Sequence, residues 1–384
     1  MDRCTLGRRA RRAAALAVCA VVPLSFATTA EALPPPPGNL IANSAFDADT
    51  SGWGSFGGTL TRTESGSPCL TGNAGAATAT LQTGTVYTIS DSQSGNQPTV
   101  RSTAAGQTYI AFATVWAAST SAVGKRARII LRERVGTTGT IIKETATSFT
   151  LASAHQLVVV AATAVRSGST LGLRIEQSGA QLGDAFSTDD VALRIPARAF
   201  GAETPGTLWT TMANDVSRVS VYSAPGPDGQ PDSFDRFLDR LRVYLDGRGG
   251  AAGSQKLRAV IYAGYGWMPG MSLVAVSREV TVTSGTTARW VDFRFDAPPF
   301  LSGFELATYQ FGLLSGPTRN VARYASTSRA NALWWGTDSY ADGPLTSLEK
   351  PTLTLPPTTW KTDDKQMSIQ GIAVPVGDGR SGCP

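Results

Sequence analysis

The sequence predicts an all-β protein of two β-sandwich, jelly-roll-like domains that follow a cleaved signal peptide. Three observations predict this fold class. Short stretches of alternating apolar residues recur along the chain, separated by Gly, Ser, Thr, Asn and Asp, which is typical of sandwiches. No stretch has the period of a long amphipathic helix. About 350 residues remain after the leader, a length that suits two domains.

Residues 1–32 have the order of a secretory signal peptide. Five arginines precede an apolar run over 13–27, and Ala30-Glu31-Ala32 offers a small-residue cleavage site. The run is too short for a membrane span and is interrupted by Pro23. Residues 33–38, LPPPPG, form a stiff Pro-rich spacer. We therefore expect a secreted, extracellular protein, exported by either the general or the twin-arginine route.

Charge, hydropathy and cysteine content narrow the classes of partner. The leader holds five of the 34 basic residues and two of the 29 acidic ones, so the mature chain carries a net charge of about +2. A balance so close to neutral does not indicate nucleic acid, and no later apolar stretch is long enough to predict a membrane span. Cys69 and Cys383 remain after cleavage; outside the cell they form a disulfide or stay as two thiols.

The first domain is predicted over residues 39–196. Its strands are indicated by TYIAFATVWA, ARIILRER, QLVVVAATAV and TLGLRIEQ, which begin at residues 108, 127, 156 and 170. Alternate residues of a strand share a face. The residues expected in the core are therefore Tyr109, Ala111, Ala113, Val115, Ala127, Ile129 and Leu131. The pattern stops at PARAFGAETPG, residues 196–206, which marks the predicted boundary.

Motifs at both ends of this domain resemble a known family. The domain opens with NLIANSAFD at residue 39, passes through Gly52–Trp53 and closes with AFSTDDVAL at residue 185. These motifs are similar to those of jelly-roll carbohydrate-binding modules of the family 4/9/22 type, which accompany many bacterial cellulases and xylanases. The resemblance implies a glycan groove across a concave sheet. His155 stands where that family often has a packing tryptophan, so we expect it to be structural.

Two adjacent aspartates stand in AFSTDDVALRI. Asp189 has the parity of Val191, Leu193 and Ile195, so it is expected to face the core, where a carboxylate is costly unless paired or bound to metal. The resemblance brings the first and last strands together and implies a structural Ca²⁺ held by Asp47, Asp189 and backbone carbonyls, oxygen ligands that suit calcium. The alternative is an Asp–Asp turn capped by backbone amides. No cleft is evident for a glycosidase pair of carboxyl groups.

Outward-facing residues of two central strands form a candidate carbohydrate-binding platform. By parity, Phe112 and Trp116 share one outer face, and Arg128 and Arg132 face outward on the next strand. Aromatic rings stack on the apolar faces of sugars, and guanidinium groups donate to hydroxyls or carboxylates. We therefore predict that these four residues bind glycan. The alternative is an arginine–glutamate ladder whose neighbouring aromatics are covered by a loop or by the second domain.

The second domain is predicted over residues 197–384. Apolar alternation resumes in RLRVYLDG, QKLRAVIYAG, ARWVDFRFD and QMSIQGIAVP. This half is similar to an uncharacterised β-sandwich module of secreted bacterial proteins, a resemblance that implies a fold and no known activity. Trp290 is expected in its core. Trp267 and the pair Trp334–Trp335 are candidate stacking residues, with packing between the domains as the alternative.

These features together predict a secreted, non-catalytic protein that binds a polysaccharide or a cell-wall glycan. One alternative is a glycoside hydrolase or lyase in the second half, targeted by the first domain. Another is a structural or adhesive surface protein. His155 is the only histidine of the chain, which disfavours a Ser-His-Asp triad and histidine-ligated zinc. No residue is assigned a catalytic role.

Overall fold

The computed structural model describes residues 38–64, 75–91, 98–137, 139–222, 235–265, 270–303, 307–349 and 360–376. The regular structure of these residues is β-strand with one 3₁₀ turn at Thr120–Ala122, which confirms the predicted all-β fold. None of their helices is long and apolar enough to span a membrane. The leader, the prolines of the spacer, Cys69, Cys383 and Trp267 lie outside the described residues.

The first sandwich is built from two antiparallel sheets. Its strands are β1 (Gly58–Glu64), β2 (Gly75–Leu81), β3 (Val86–Ser90), β4 (Thr108–Ala117), β5 (Arg126–Arg134), β6 (Ile141–Thr150), β7 (Gln156–Thr163), β8 (Thr170–Ser178) and β9 (Ala185–Arg194). One sheet has the strand order β1-β2-β9-β4-β7 and the other the order β3-β8-β5-β6. The chain crosses repeatedly from one sheet to the other, as in a jelly roll.

The space between these sheets is filled largely by the residues that alternation assigned to it. All seven predicted core residues of β4 and β5 are buried in one cluster. Phe46 and Trp53, from the segment before β1, join this cluster with ring centroids 5.2 Å apart. Trp53 donates its indole N–H to the main-chain oxygen of Asn43 at 3.1 Å. The Gly-Trp motif is therefore a packing element that anchors the start of the domain.

A β-bulge at Asp190 interrupts β9. Phe112 of β4 pairs with Ala192, whereas Thr114 pairs with Asp189, so β9 has one residue more than β4 over this stretch. Asp190 takes a left-handed φ of 48°, a conformation that aspartate tolerates better than most residues. An inserted residue of this kind reverses the faces on its two sides.

The bulge changes the position of Asp189. Val191 and Leu193, beyond the bulge, face the core as expected. Asp189 instead lies on the outer face of the sheet, because its partner Thr114 alternates with the core residue Val115. The prediction that Asp189 points into the core is therefore wrong, although its side chain is completely buried. Ile195 is also misplaced: it follows the end of β9 and is 45% exposed.

The second sandwich is formed by one folded sheet. Its strands are β10 (Ala197–Gly201), β11 (Leu208–Thr211), β12 (Val216–Tyr222), β13 (Arg236–Asp246), β14 (Ser254–Tyr265), β15 (Gly270–Val276), β16 (Val280–Thr283), β17 (Arg289–Arg294), β18 (Phe300–Leu301), β19 (Ala307–Ser315), β20 (Arg323–Thr337), β21 (Ser347–Glu349), β22 (Trp360–Met367) and β23 (Ile369–Pro375). Its main path is β10-β23-β13-β20-β12-β19-β14-β15-β21, with β11 and β22 on β20, β16 on β14, and β17 and β18 on β13.

Two apolar clusters stabilise this second sandwich. The larger one fills the fold and includes Leu241, Val243 and Leu245 of β13. The smaller one contains Tyr262, Tyr340, Trp334 and Trp360. It is closed by a hydrogen bond of 2.9 Å from the Tyr262 hydroxyl to the main-chain oxygen of Leu345. Trp334 is thus a packing residue and presents little surface for a ligand.

A third apolar cluster joins the two sandwiches. Ile110 and Phe112, on the outer face of β4, pack with Ala192 against Phe237 and Val374 of the second sandwich. The rings of Phe112 and Phe237 have centroids 5.6 Å apart. At the edge of this cluster, an Nη of Arg294 donates to Oγ1 of Thr108 at 2.8 Å. One end of the five-stranded sheet is therefore covered by the second half of the chain.

Candidate functional site

Among the residues that the structure describes, the end of the five-stranded sheet away from the Phe112–Phe237 contact presents a polar face that includes Trp116. Trp116 pairs with Ser187 across β4 and β9, and Thr114 pairs with Asp189. Both Trp116 and Thr114 are half-buried. Because the core residue Val115 lies between them, both side chains face outward.

A row of hydroxyl groups crosses the same face. Oγ1 of Thr63 lies 2.8 Å from Oγ1 of Thr78, which lies 2.7 Å from Oγ of Ser187. Thr61 and Thr63 on β1 are exposed, whereas Thr78 and Ser187 in the middle are buried. The inner hydroxyls therefore hold the outer one in a fixed orientation. We call the exposed threonines of β1, this hydroxyl row, Thr114 and Trp116 the Trp116 surface.

His155 supports the tryptophan of this surface. The two rings have centroids 4.2 Å apart, at an interplanar angle of 46°. Nε2 of His155 is buried and has no hydrogen-bond partner among the described residues, and burial lowers the pKa of the imidazole. A neutral ring packed against an indole is suited to positioning that indole, which agrees with the structural role expected for His155.

The four residues of the predicted platform do not share one surface. β4, with Phe112 and Trp116, belongs to the five-stranded sheet, and β5, with Arg128 and Arg132, belongs to the four-stranded sheet. Residues 118–125 connect the two strands across the sandwich, a connection longer than the two to five residues, roughly, of a common hairpin. Phe112 is moreover covered by Phe237. The single platform is therefore wrong, and Trp116 alone remains on an accessible part of its sheet.

The arginines form an ion-pair ladder on the opposite sheet. Arg128 donates to Oε1 of Glu176 at 2.5 Å, and Arg132 donates to Oε2 of Glu144 at 2.6 Å. The hydrogen bond from Arg128 to Glu176 raises the pKa of the arginine. Arg174 lies 3.7 Å from Glu176, and burial lowers its pKa. Cross-strand pairing of this kind stabilises a sheet face, and it satisfies the arginines without a ligand.

Asp189 lies beside the bulge of β9, and Asp47, the other predicted calcium ligand, lies in the N-terminal segment before β1. A hydrogen bond of 2.9 Å from the Val191 N–H to the Ser44 oxygen joins the N-terminal segment to this strand. Oδ1 of Asp189 accepts the N–H of Asp190 at 2.7 Å. Burial raises the pKa of Asp47, and the positive charge of Arg62, which lowers it, offsets only part of this effect.

The surroundings of Asp47 and Asp189 contain carboxylate and main-chain oxygens, the donor types that a hard cation prefers. They also contain a competing cation, because Nε of Arg62 donates to the Phe46 oxygen at 2.8 Å. Among the described residues, no three His, Cys, Asp or Glu side chains cluster as a metal site. Backbone oxygens would therefore have to supply most of the coordination.

The tryptophans of the second sandwich divide between packing and surface. Trp335 packs against the main core, with Arg218 5.2 Å and Lys361 5.0 Å from its ring centroid. Both Trp334 and Trp335 thus pack within the second sandwich. Neither belongs to the cluster that joins the two sandwiches, where the alternative of packing between the domains would place them. Trp290, expected in the core, instead alternates with Val291 and Phe293 and lies half-buried on the outer face. Sequence parity could have found this, because Phe293 has the opposite parity in the same strand.

No protein-family model matches the chain, and no curated protein matches it. The solved structures to which it is similar are mostly carbohydrate-binding modules. The tandem CBM22-1–CBM22-2 domain of Xyn10C from Paenibacillus barcinonensis is 11% identical, with 79% of this chain and 99% of that chain covered and a TM-score of 0.34. TmCBM61 in complex with β-1,4-galactotriose is 14% identical, with 41% of this chain and 98% of that chain covered and a TM-score of 0.29.

The enzymatically active domain of tailspike protein 4 from bacteriophage CBA120 is a further match. It is 10% identical, the TM-score is 0.33, and the match covers 41% of this chain and 21% of the tailspike chain. The matched region is thus a small part of that protein. TM-scores and identities of this size do not carry residue roles from one protein to another, so function has to be inferred from the residues of this chain.

Proposed function

We propose that this chain is a secreted, non-catalytic polysaccharide-binding protein that binds glycan on the Trp116 surface. The observation that carries the proposal is the half-buried indole of Trp116 on an outer sheet face, next to hydroxyls that are already ordered. Indole stacks on the C–H face of a sugar ring. Threonine hydroxyls both donate and accept hydrogen bonds, as sugar hydroxyls do. An open sheet face suits an extended chain of sugars.

Three features support this surface over the arginine ladder. The arginines of the ladder are bound to glutamates, so a glycan would have to displace ion pairs to reach them. The Trp116 surface lies on a sheet face of the jelly roll, the kind of position that the family resemblance implies for a groove. Its hydroxyls carry no charge, which favours a neutral polysaccharide or cell-wall glycan as the partner.

Secretion and calcium belong to the same proposal. The basic, apolar and small-residue order of 1–32 supports export. Asp47 and Asp189, with main-chain oxygens of the N-terminal segment, would hold a structural Ca²⁺ at the bulged end of β9. The ion would fix the start of the first sandwich to its last strand and would take no part in chemistry.

The experiment separates binding from catalysis and from self-association. The secreted chain is screened on arrayed neutral and acidic polysaccharides, and the retained ones are incubated with it and assayed for new reducing ends or unsaturated products. We expect retention without turnover. Release of products would replace this proposal with a glycoside hydrolase or lyase. Absence of retention, with concentration-dependent sedimentation, would replace it with a structural or adhesive protein.

A further inference from the structure

A line of three aromatic rings lies on the outer face of the second sandwich. On β13, the core residues Leu241, Val243 and Leu245 alternate with half-buried residues that include Tyr244. Tyr244 pairs with Trp290 across β13 and β17. Trp209 on β11 pairs with Ala325 on β20, the strand that meets β13 at its end. Three strands, β11, β13 and β17, therefore carry these rings on one side of the sheet, and β20 lies between β11 and β13.

The three rings are contiguous. The centroids of Trp209 and Tyr244 are 6.0 Å apart at an interplanar angle of 45°, and those of Tyr244 and Trp290 are 5.5 Å apart at 70°. Each ring is half-buried, so each is held by its neighbours and still presents surface to solvent. We call these three residues the aromatic strip. Rings in mutual contact are restrained, which lowers the entropic cost of using them to bind.

Polar groups border the aromatic strip in donor–acceptor pairs. Nε of Arg242 lies 3.0 Å from Oδ1 of Asp292, and its Nη1 donates to Oε1 of Gln370 at 3.3 Å. The guanidinium of Arg242 is 5.8 Å from the Trp290 centroid. The side chains of Arg242 and Asp292 are 33% and 39% exposed. A hydroxyl-rich ligand could therefore find both a donor and an acceptor beside the ring of Trp290.

The charges around the aromatic strip are compensated. Arg323 stacks 4.8 Å from the Trp209 centroid and forms two hydrogen bonds with Asp246. Arg240 and Arg242 share Asp292. A polyanion would have to compete with these bound carboxylates, since exposed cations are what favour nucleic acid or acidic chains. Rings flanked by paired charges instead suit an uncharged ligand with apolar faces and many hydroxyls, which is a neutral glycan.

From these observations we infer that the aromatic strip is a second glycan-binding site, for a neutral polysaccharide, in addition to the Trp116 surface. The aromatic strip is inferred from its own residues. That the chain has two glycan-binding sites rests on the proposed function, because it requires the Trp116 surface to bind glycan as well. The Phe112–Phe237 cluster fixes the two sandwiches together. Two sites on one chain raise the overall affinity for a long polymer, because binding at one site raises the effective concentration at the other.

The test uses the full secreted chain and depletion isotherms on insoluble cellulose, xylan and mannan, with alginic acid as the acidic comparison. Trp290→Leu keeps an apolar side chain and removes the ring, and Trp290→Phe is the matched control that keeps a ring. We expect Trp290→Leu to weaken retention on a neutral polysaccharide by about tenfold, as expected for loss of a ring anchor. Trp290→Phe should stay within about threefold of the parent chain, and both variants should melt as it does.

Combination with Trp116→Ala separates this inference from the proposed function. Weaker retention in each single variant, with no retention in the double variant, supports two sites. If Trp116→Ala alone abolishes retention and Trp290→Leu changes nothing, the aromatic strip is not a glycan site and the proposed function stands. If Trp290→Leu alone abolishes it, the strip stands and the Trp116 surface does not. Retention only on alginic acid, or on none of the four polymers, overturns the strip as a site for neutral glycan.

Discussion

The ring of Phe112 in the first sandwich packs against the ring of Phe237 in the second, with centroids 5.6 Å apart. Both side chains are almost completely buried, and Val374 and Ala192 complete the contact. An outer sheet face is normally wet, so an apolar side chain at this position would be exposed without the second sandwich. The contact therefore explains why Phe112 and Ile110 occupy outward positions of β4, and it couples the two halves.

We predict that Phe112→Ala uncouples the two sandwiches. The loss of a buried phenyl ring typically costs about 3–5 kcal/mol, and here the loss falls on the contact between the halves. Calorimetry should show the melting of the parent chain replaced by two separated transitions. Phe56→Ala, at a ring that is 60% exposed, is the matched control and should change the free energy of unfolding by less than about 0.5 kcal/mol. One unchanged transition in Phe112→Ala would show that the contact contributes no coupling.

Much of the first sandwich could be predicted from the sequence, because its strands alternate regularly. The core residues of β4 and β5 followed directly from parity. Parity assigned Asp189 to the wrong face because a bulge at Asp190 inserts one residue into β9. The available signal for the bulge was that aspartate tolerates a left-handed backbone conformation. Parity correctly placed Phe112 on the outer face, but alternation does not tell which part of that face the second sandwich covers.

The candidate site was partly within reach of the sequence. Trp116 was identified, since an aromatic residue at an outward position is unusual. That Trp116 and Arg128 lie in different sheets was not predicted, because the order of strands in a sheet depends on contacts between residues distant in sequence. The long connection 118–125 was the available signal that β4 and β5 lie in different sheets. The aromatic strip was missed because Trp209, Tyr244 and Trp290 are distant in sequence and meet only through β20 and β13.

We predict that Asp184 gives the first sandwich a specific sensitivity to acid. Its carboxylate is completely buried and lies 2.5 Å from Nζ of Lys125. Burial, the largest influence, raises the pKa of Asp184, but hydrogen bonds from Lys125 and Gln181 outweigh it and leave the pKa below the ordinary 3.8. The stabilisation is therefore complete above about pH 4 and is lost as the pH falls through the folded-state pKa.

Asp184→Asn should remove this dependence. At pH 7 the variant should lose about 3 kcal/mol of unfolding free energy, the lower end for breaking a buried pair, since Lys125 is partly exposed. Between pH 4 and pH 2 the difference between variant and parent should shrink. Urea titrations at several pH values measure it. A difference that stays constant over this range would mean that the carboxylate is not ionised in the folded chain.

We predict that calcium stabilises the first sandwich through Asp47 and Asp189. An ion that binds only the folded state adds about 2.7 kcal/mol at a hundredfold excess over Kd. Chelation should therefore lower the melting temperature of the parent chain, and Asp189→Asn should abolish the response to added Ca²⁺. Mg²⁺ at equal concentration is the control. If the chelated, metal-free chain melts like the untreated one, Arg62 is the cation that neutralises this end of β9.

We predict that His155 acts through packing and makes the Trp116 surface sensitive to mild acid. Burial lowers the pKa of His155, so the unfolded chain takes up this proton first as the pH falls. The stabilisation is thus complete above the unfolded value of about 6.5 and is lost as the pH falls below it. His155→Gln should flatten the change in melting temperature between pH 7 and pH 5, and change stability at pH 7 by no more than about 1–2 kcal/mol. If the melting temperature of His155→Gln changes as much between pH 7 and pH 5 as that of the parent chain, other titrating groups cause the acid sensitivity.

The decisive variant for the first site is Trp116→Ala. Trp116 is half-buried on an outer face and touches His155, so its removal should leave the core between the sheets intact. Losing a stacked anchor should weaken glycan binding by on the order of 2 kcal/mol, which is about thirtyfold in affinity. A core tryptophan would instead cost about 3–5 kcal/mol of stability. Melting and polysaccharide isotherms measured together on Trp116→Ala and Trp116→Phe distinguish the two. We expect a loss of affinity of about thirtyfold in Trp116→Ala alone, with the melting of both variants unchanged. Equal affinity in the parent chain and both variants would show that glycan does not bind to this face, and the aromatic strip would then be the remaining candidate site.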